Sequence, residues 1–170
     1  GTESINGLPL VRVGRLKIED VSDDDIVLLY RRSILVGAHA ATVRLAREAV
    51  VRPSLADRIP AADAYQRMIA AERDPDKAQV LINAAREHSK ANGQSTATWD
   101  LAELELYITT GHVNEARDML TRIQRDHSND PQVAAALYQL LYETGVIGDE
   151  QMGQPHSHAR AAAPASATAG

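Results

Sequence analysis

The chain has 170 residues, a net charge of −5, one tryptophan, no phenylalanine and no cysteine. That length suits one domain with a substantial core, and the lack of cysteine excludes disulfides and thiolate metal sites, which fits a reducing compartment. No apolar run approaches the ~20 residues needed to cross a bilayer, so no membrane partner is expected and the cytoplasm is the expected location. The chain starts on Gly1 and lacks a charged-then-apolar leader. It is therefore expected to be a processed fragment, with room for an upstream targeting signal to have been removed. Ala, Leu, Arg and Glu, all good helix formers, carry much of the composition, and an all-α protein follows.

In chain order, residues 1–22 differ from the rest. Leu8 to Val13 and Arg15 to Ile18 alternate apolar and polar residues, interrupted by Pro9 and Gly14. This pattern predicts an extended arm or edge strand. Ser22 followed by Asp23, Asp24 and Asp25 predicts a helix start: a hydroxyl cap with carboxylates at the positive end of the dipole. The acidic triplet lacks the turn Gly and distal Glu of a calcium loop. Ile26, Leu29, Tyr30 and Ser33 trace the first helical stripe, up to Gly37. A second stripe runs through Ala38, Ala41, Leu45 and Ala49 to Arg52 and Pro53, and a third through Ala62, Tyr65 and Ile69 to Asp74 and Pro75. The fourth comprises Ala78, Leu81, Ile82, Ala85 and Ser89, closed by Asn92 and Gly93.

The fifth helix is expected from about Ala97 to Thr110, the sixth from Val113 to about His127, and the seventh from Pro131 to Gly145. Residues 151–170 are Ala- and Pro-rich without a large apolar cluster, which predicts a disordered tail. Breaks joining paired helices fall at Gly37, Arg73–Asp74, Gly111 and Gly145. The last two are 34 residues apart, each preceded by Thr and an apolar helix. Such intervals predict antiparallel helical hairpins stacked in series over residues 23–150.

Around Gly111 the two helices differ. The fifth has two stripes, Trp99, Ala102, Leu106 and Leu101, Leu104, Ile108, and is expected to be enclosed. The sixth has a single stripe, Val113, Ala116, Leu120 and Ile123, opposite a charged face. Trp99, Tyr107, Gly111, Ala116, Leu120, Ile123 and Pro131 together resemble the tetratricopeptide repeat (TPR): an early aromatic, a tyrosine, a turn Gly and an Ala five residues later, at its 34-residue period. The resemblance is fullest over residues 97–145, partial over 59–93 and weakest over 23–52. Leu104 stands where the family usually has a small residue, Trp99 lies one position early, and Arg73 replaces a turn Gly.

The resemblance implies a short right-handed solenoid closed by a solvating helix at Pro131 to Thr144, with polar surface from Gln132, Gln139 and Glu143. It also implies a non-catalytic protein-interaction scaffold that binds a protein or peptide segment in a groove lined by inner helices. By position the groove residues are Thr98, Leu101, Glu105, Ile108 and Thr109, with Gln132, Ala135, Gln139 and Tyr142 from the last helix. Leu101 and Ile108 equally suit core packing, and Tyr142 equally suits a ring resting on a neighbouring helix. The Lys and Asn with which some family members clamp a terminal carboxylate are absent from these positions. The mixed apolar and acidic lining suggests an apolar or basic partner.

Charge is polarised. Arg31, Arg32, Arg44, Arg47, Arg52 and Arg58 face only Glu48 and Asp57 between residues 31 and 58, whereas residues 93–150 carry ten carboxylates against Arg117, Arg122 and Arg125. This allows self-association or a charged partner. Nucleic-acid binding through the arginines is the weaker alternative, since the second half is acidic; a regulatory or accessory module of a larger enzyme is another. No phosphate loop, zinc helix or nucleophile elbow appears, and no cofactor is expected. His39, His88, His112 and His127 are expected near helix ends, against terminal carbonyls. His156 and His158 offer two metal ligands without fixed geometry.

Overall fold

The computed structural model describes residues 17–149, together with the backbone of Ser4–Ile5 and Leu8–Pro9. The chain divides into two compact units between Gln94 and Ser95. Apart from a small ribbon, the described elements are helical, as the composition predicts. The expected tail at 151–170, the His156–His158 pair and residues 10–16 of the arm lie outside the described residues.

In the first unit, β1 (Ser4–Ile5) pairs antiparallel with β2 (Leu8–Pro9), with Ser4 opposite Pro9 and Ile5 opposite Leu8. Extended backbone was expected to run on to Ile18, but Ile18 opens a 3-10 turn, Ile18–Asp20, and is buried. The guanidinium of Arg52 holds this turn. Its Nη2 donates to the Ile18 carbonyl at 2.9 Å, its Nη1 to the Val21 carbonyl at 2.7 Å and to Asp23 at 3.0 Å, and its Nε to Glu48 at 2.8 Å. A planar five-donor fork can satisfy that many acceptors at once, and Lys cannot.

Helix α1 (Asp23–Leu35) starts as predicted, with the Asp25 amide donating to Ser22 Oγ at 3.3 Å. It packs on α2 (His39–Val51), which packs on α3 (Ala61–Ala71), which packs on α4 (Pro75–Ala91). The core takes Ile26, Leu29 and Tyr30 from α1 and Leu45, Ala46 and Ala49 from α2. Thr42 Oγ1 donates to Ser33 Oγ at 2.7 Å and Ser33 Oγ to the Tyr30 carbonyl at 2.7 Å, so the buried hydroxyls between α1 and α2 are satisfied. The stripe of α3 is displaced from the expected one. Ala64 and Met68 are buried, Tyr65 and Ile69 half-buried, and Ala62 exposed. The link before it, read as a break, carries a 3-10 turn (Pro53–Leu55) that delivers Leu55 and Ile59 into the core, at 0% and 3% exposure.

The second unit contains α5 (Ala97–Thr109), α6 (Val113–Asp126) and α7 (Pro131–Glu143), with α5 packed on both others. Its core gathers Ala97, Leu104, Met119, Ile123, Val133, Leu137 and Leu140. Val113, expected in the buried stripe of α6, is exposed, and Met119 takes the place. Helix α7 starts at Pro131 with Asp130 as its cap, whose carboxylate accepts from the Gln132 and Val133 amides at 2.9 and 3.2 Å.

The two Thr-Gly phrases fold alike. Gly111 and Gly145 have φ of +77° and +78°, a left-handed conformation that favours glycine. The His112 amide reaches the Tyr107 carbonyl at 2.9 Å, and the Val146 amide reaches Leu141 at 2.8 Å. Thr110 Oγ1 donates to the Leu106 carbonyl at 2.6 Å, and Thr144 Oγ1 to Leu140 at 2.7 Å. Each turn thereby satisfies the orphan carbonyls that end a helix.

Candidate functional site

The candidate site is the exposed surface of the second unit, positioned by the buried stripes behind it. In α5, Ala97 and Leu104 point into the core, which leaves Thr98, Glu105 and Thr109 exposed and Leu101 and Ile108 half-buried. Leu101 and Ile108 each pack against the core cluster and keep part of their surface open. In α7 the inward positions are Val133, Leu137 and Leu140, and Gln132, Ala135, Gln139 and Tyr142 lie on exposed surface. Among these residues the direct links are short-range. Thr109 Oγ1 donates to the Glu105 carbonyl at 2.9 Å, and Gln139 Nε2 donates to Glu143 at 2.7 Å. The Tyr142 phenol, 40% exposed, hydrogen-bonds the Asp149 carboxylate, which raises its pKa above the ordinary 10.0.

The acidic character of this surface is smaller than the count of carboxylates suggests. Asp100 and Glu103 are buried, at 4% and 5% exposure. Asp100 accepts from Thr96 Oγ1 at 3.1 Å and lies 3.0 Å from His127 Nε2, with Arg122 Nη2 at 3.8 Å. His127 does sit at the end of α6, but its ring meets this carboxylate and not the terminal carbonyls. Two of the other histidines depart from expectation, while His88 lies near a helix C-terminus as expected. His39 opens α2 at the wrong end for a cation, and His112 precedes α6 with Nδ1 2.7 Å from Thr110 Oγ1. His88, in the last turn of α4, lies beside the Tyr65 ring with centroids 6.2 Å apart.

A feature the sequence reading missed lies between α6 and α7. It is a cleft of about 280 Å³ lined by Leu120, Ile123, Gln124, His127, Ser128, Val133, Ala134, Leu137, Tyr138 and Leu141. Its signal was available: α7 carries apolar residues at 133, 134, 137, 138, 140 and 141, a band too wide for one buried stripe. The arginines of the first unit are partly spoken for, since Arg52 pairs with Asp23 and Glu48, and Arg58 with Asp24 at 2.7 Å. Among the described residues, no group of three or more His, Asp or Glu is placed to hold a metal, and no helix is long and apolar enough to cross a membrane.

Residues 70–140 match the family model of the tetratricopeptide repeat. No curated protein and no solved structure matches the chain. The matched stretch takes in α4, α5, α6 and most of α7, and so includes the Gly111 turn. Repeats of this family generally mediate protein–protein interaction and are typically non-catalytic. Residues 70–140 are thus similar to tetratricopeptide repeats, and the seven helices among the described residues fall at the hairpin spacing of such arrays.

Proposed function

We propose that the protein is a non-catalytic scaffold that captures a protein or peptide segment along the exposed faces of α5 and α7. The reading treats residues 23–150 as one repeat domain, flanked by an arm (1–22) and a tail (151–170). The observation that carries it is the mixed surface of these helices: Leu101 and Ile108 keep open apolar area beside the exposed Glu105, and Tyr142 presents a ring at 40% exposure. A small number of aromatic and aliphatic anchors dominates peptide affinity, with surrounding charges selecting the partner. Carboxylates at Glu105 and Glu143 favour a segment bearing Lys or Arg between apolar residues.

The test is selection of binders from a random peptide display library against the immobilised 170-residue chain. Selected peptides should be apolar and basic, and Tyr142→Ala or Leu101→Arg should weaken them by about tenfold or more, which is about 1.4 kcal/mol, without changing helical content. Selection that yields no saturable binder, or binders indifferent to both substitutions, overturns the reading.

A further inference from the structure

Helix α7 is apolar on more sides than its own core uses. Val133, Leu137 and Leu140 are buried against α5 and α6, while Ala134, Tyr138 and Leu141 join Leu120 and Ile123 in the walls of the α6–α7 cleft. No Asp, Glu, Lys or Arg lines that cleft. Its one histidine, His127, has Nε2 directed to the buried Asp100. Along α7 itself the sole charged residue is Glu143, in a chain of which 24% of residues are charged.

The absence of charge narrows the occupant. A partner recognised by charge needs complementary groups around the cleft, and the lining has none. Residues 150–170 of the same chain hold one large apolar side chain, Met152, and two prolines, Pro155 and Pro164. That is too little to fill walls of Leu, Ile, Val and Tyr. A second copy meets the requirement. Two chains of net charge −5 repel wherever charged faces meet, and a twofold contact brings the same patch together from both sides. A charge-free apolar face is the surface on which such pairing costs least. The second apolar stripe of α7, Ala134, Tyr138 and Leu141, is exposed or half-buried, which leaves it open to a neighbouring helix.

We propose that two copies of the protein pair about a twofold axis through their α6–α7 clefts, each α7 covering the open stripe of the other. This pairing does not rest on the peptide-binding reading; it leaves the named α5 positions outside the contact, while Gln132, Ala135, Gln139 and Tyr142 lie on the same helix as the paired stripe.

Sedimentation velocity on the full chain up to about 100 µM tests it, because self-association is concentration-dependent. The expected mass is twice 18.4 kDa, unchanged by added salt. Ala134 is exposed, so Ala134→Arg should leave circular dichroism and Trp99 fluorescence intact and weaken pairing by about 100-fold, through an uncompensated charge in an apolar contact. The chain has no cysteine, so Ala134→Cys provides a unique thiol: a short bis-maleimide should link the pair there, and not in an Asn83→Cys control on α4. Deleting residues 150–170 should leave the dimer in place. A wild-type monomer over this range overturns the proposal. So does a dimer that salt dissolves, which would be a charge-driven contact; a dimer that Ala134→Arg spares; or one that forms only after the deletion.

Discussion

Replacing Gly111 by Ala isolates a purely conformational cost. Gly111 has φ +77°, and a Cβ built there meets no heavy atom within 4 Å, so no side chain or backbone need move. Forcing an L-residue into the left-handed region costs roughly 1–2 kcal/mol. Ala also restricts the unfolded chain, which returns roughly 0.4–1 kcal/mol in a strain-free position and partly offsets the strain here. The net expectation is a loss of about 1 kcal/mol. With a urea m-value of about 1.5 kcal/mol/M, the midpoint should fall by roughly 0.7 M. Gly111→Asn should lose less, because Asn tolerates this region better. The reporter is fluorescence of Trp99, the chain's one tryptophan, which is 2% exposed in the helix that ends at this turn. Gly145→Ala, at φ +78° with the same open surroundings, should cost a similar amount. A Gly111→Ala protein as stable as the parent, or an Asn variant no better than Ala, would refute the left-handed turn and the equivalence of the two turns.

Asp100→Ala should destabilise the second unit by about 2–3 kcal/mol, because the His127 and Thr96 donors lose a buried acceptor; urea unfolding followed at Trp99 measures it. Tyr30→Phe removes the hydroxyl that donates to Asp63, joining α1 to α3, and should cost about 1–2 kcal/mol in thermal or urea unfolding. Burial first, and then Asp63, push the Tyr30 phenol above its ordinary value of 10.0. Its contribution is therefore intact below pH 10 and fades as pH rises towards the higher folded value, so alkaline destabilisation should be smaller in Tyr30→Phe. The Asp23 carboxylate is held below its ordinary 3.8 by Ser54 first and Arg52 second. Its contribution is present above pH 3.8 and lost as pH falls through the lower folded value, so Asp23→Asn should flatten the acid limb of a stability–pH profile.

Local chemistry made much of the fold legible. The Ser22 cap, the proline at the start of α7 and the glycines at 37, 93, 111 and 145 each act within a few residues of themselves, and each marks the element it was expected to mark. What stayed hidden depends on partners far along the chain. Asp100 reads as surface charge until His127, 27 residues on, is brought beside it. Arg52 reads as part of a basic patch until the loop at Ile18 to Asp23 folds over it, and Leu55 and Ile59 read as linker because two apolar residues among Pro, Ser and Asp show no period. The stripe of α3 slipped because alanines at 61, 62, 64, 70 and 71 make several helical faces nearly equivalent, and Met68 against α2 decides among them. At the candidate site the exposed positions on α5 and α7 followed from the periodicity, whereas the α6–α7 cleft required seeing that α7 has more apolar surface than one neighbour covers.

The order of helix contacts bears on how the protein reaches its fold. Within each unit the principal helix pairings join α1 to α2, α2 to α3, α3 to α4, α5 to α6 and α5 to α7, so partners are adjacent in the chain or separated by one helix. Folding closes only short loops, and the entropy lost before the first favourable contacts is correspondingly small. Chains with such low contact order fold in microseconds to milliseconds. They also lack the long-range strand pairing that leaves half-made sheets open to aggregation. A hairpin of this protein can form while the residues after it are still being synthesised.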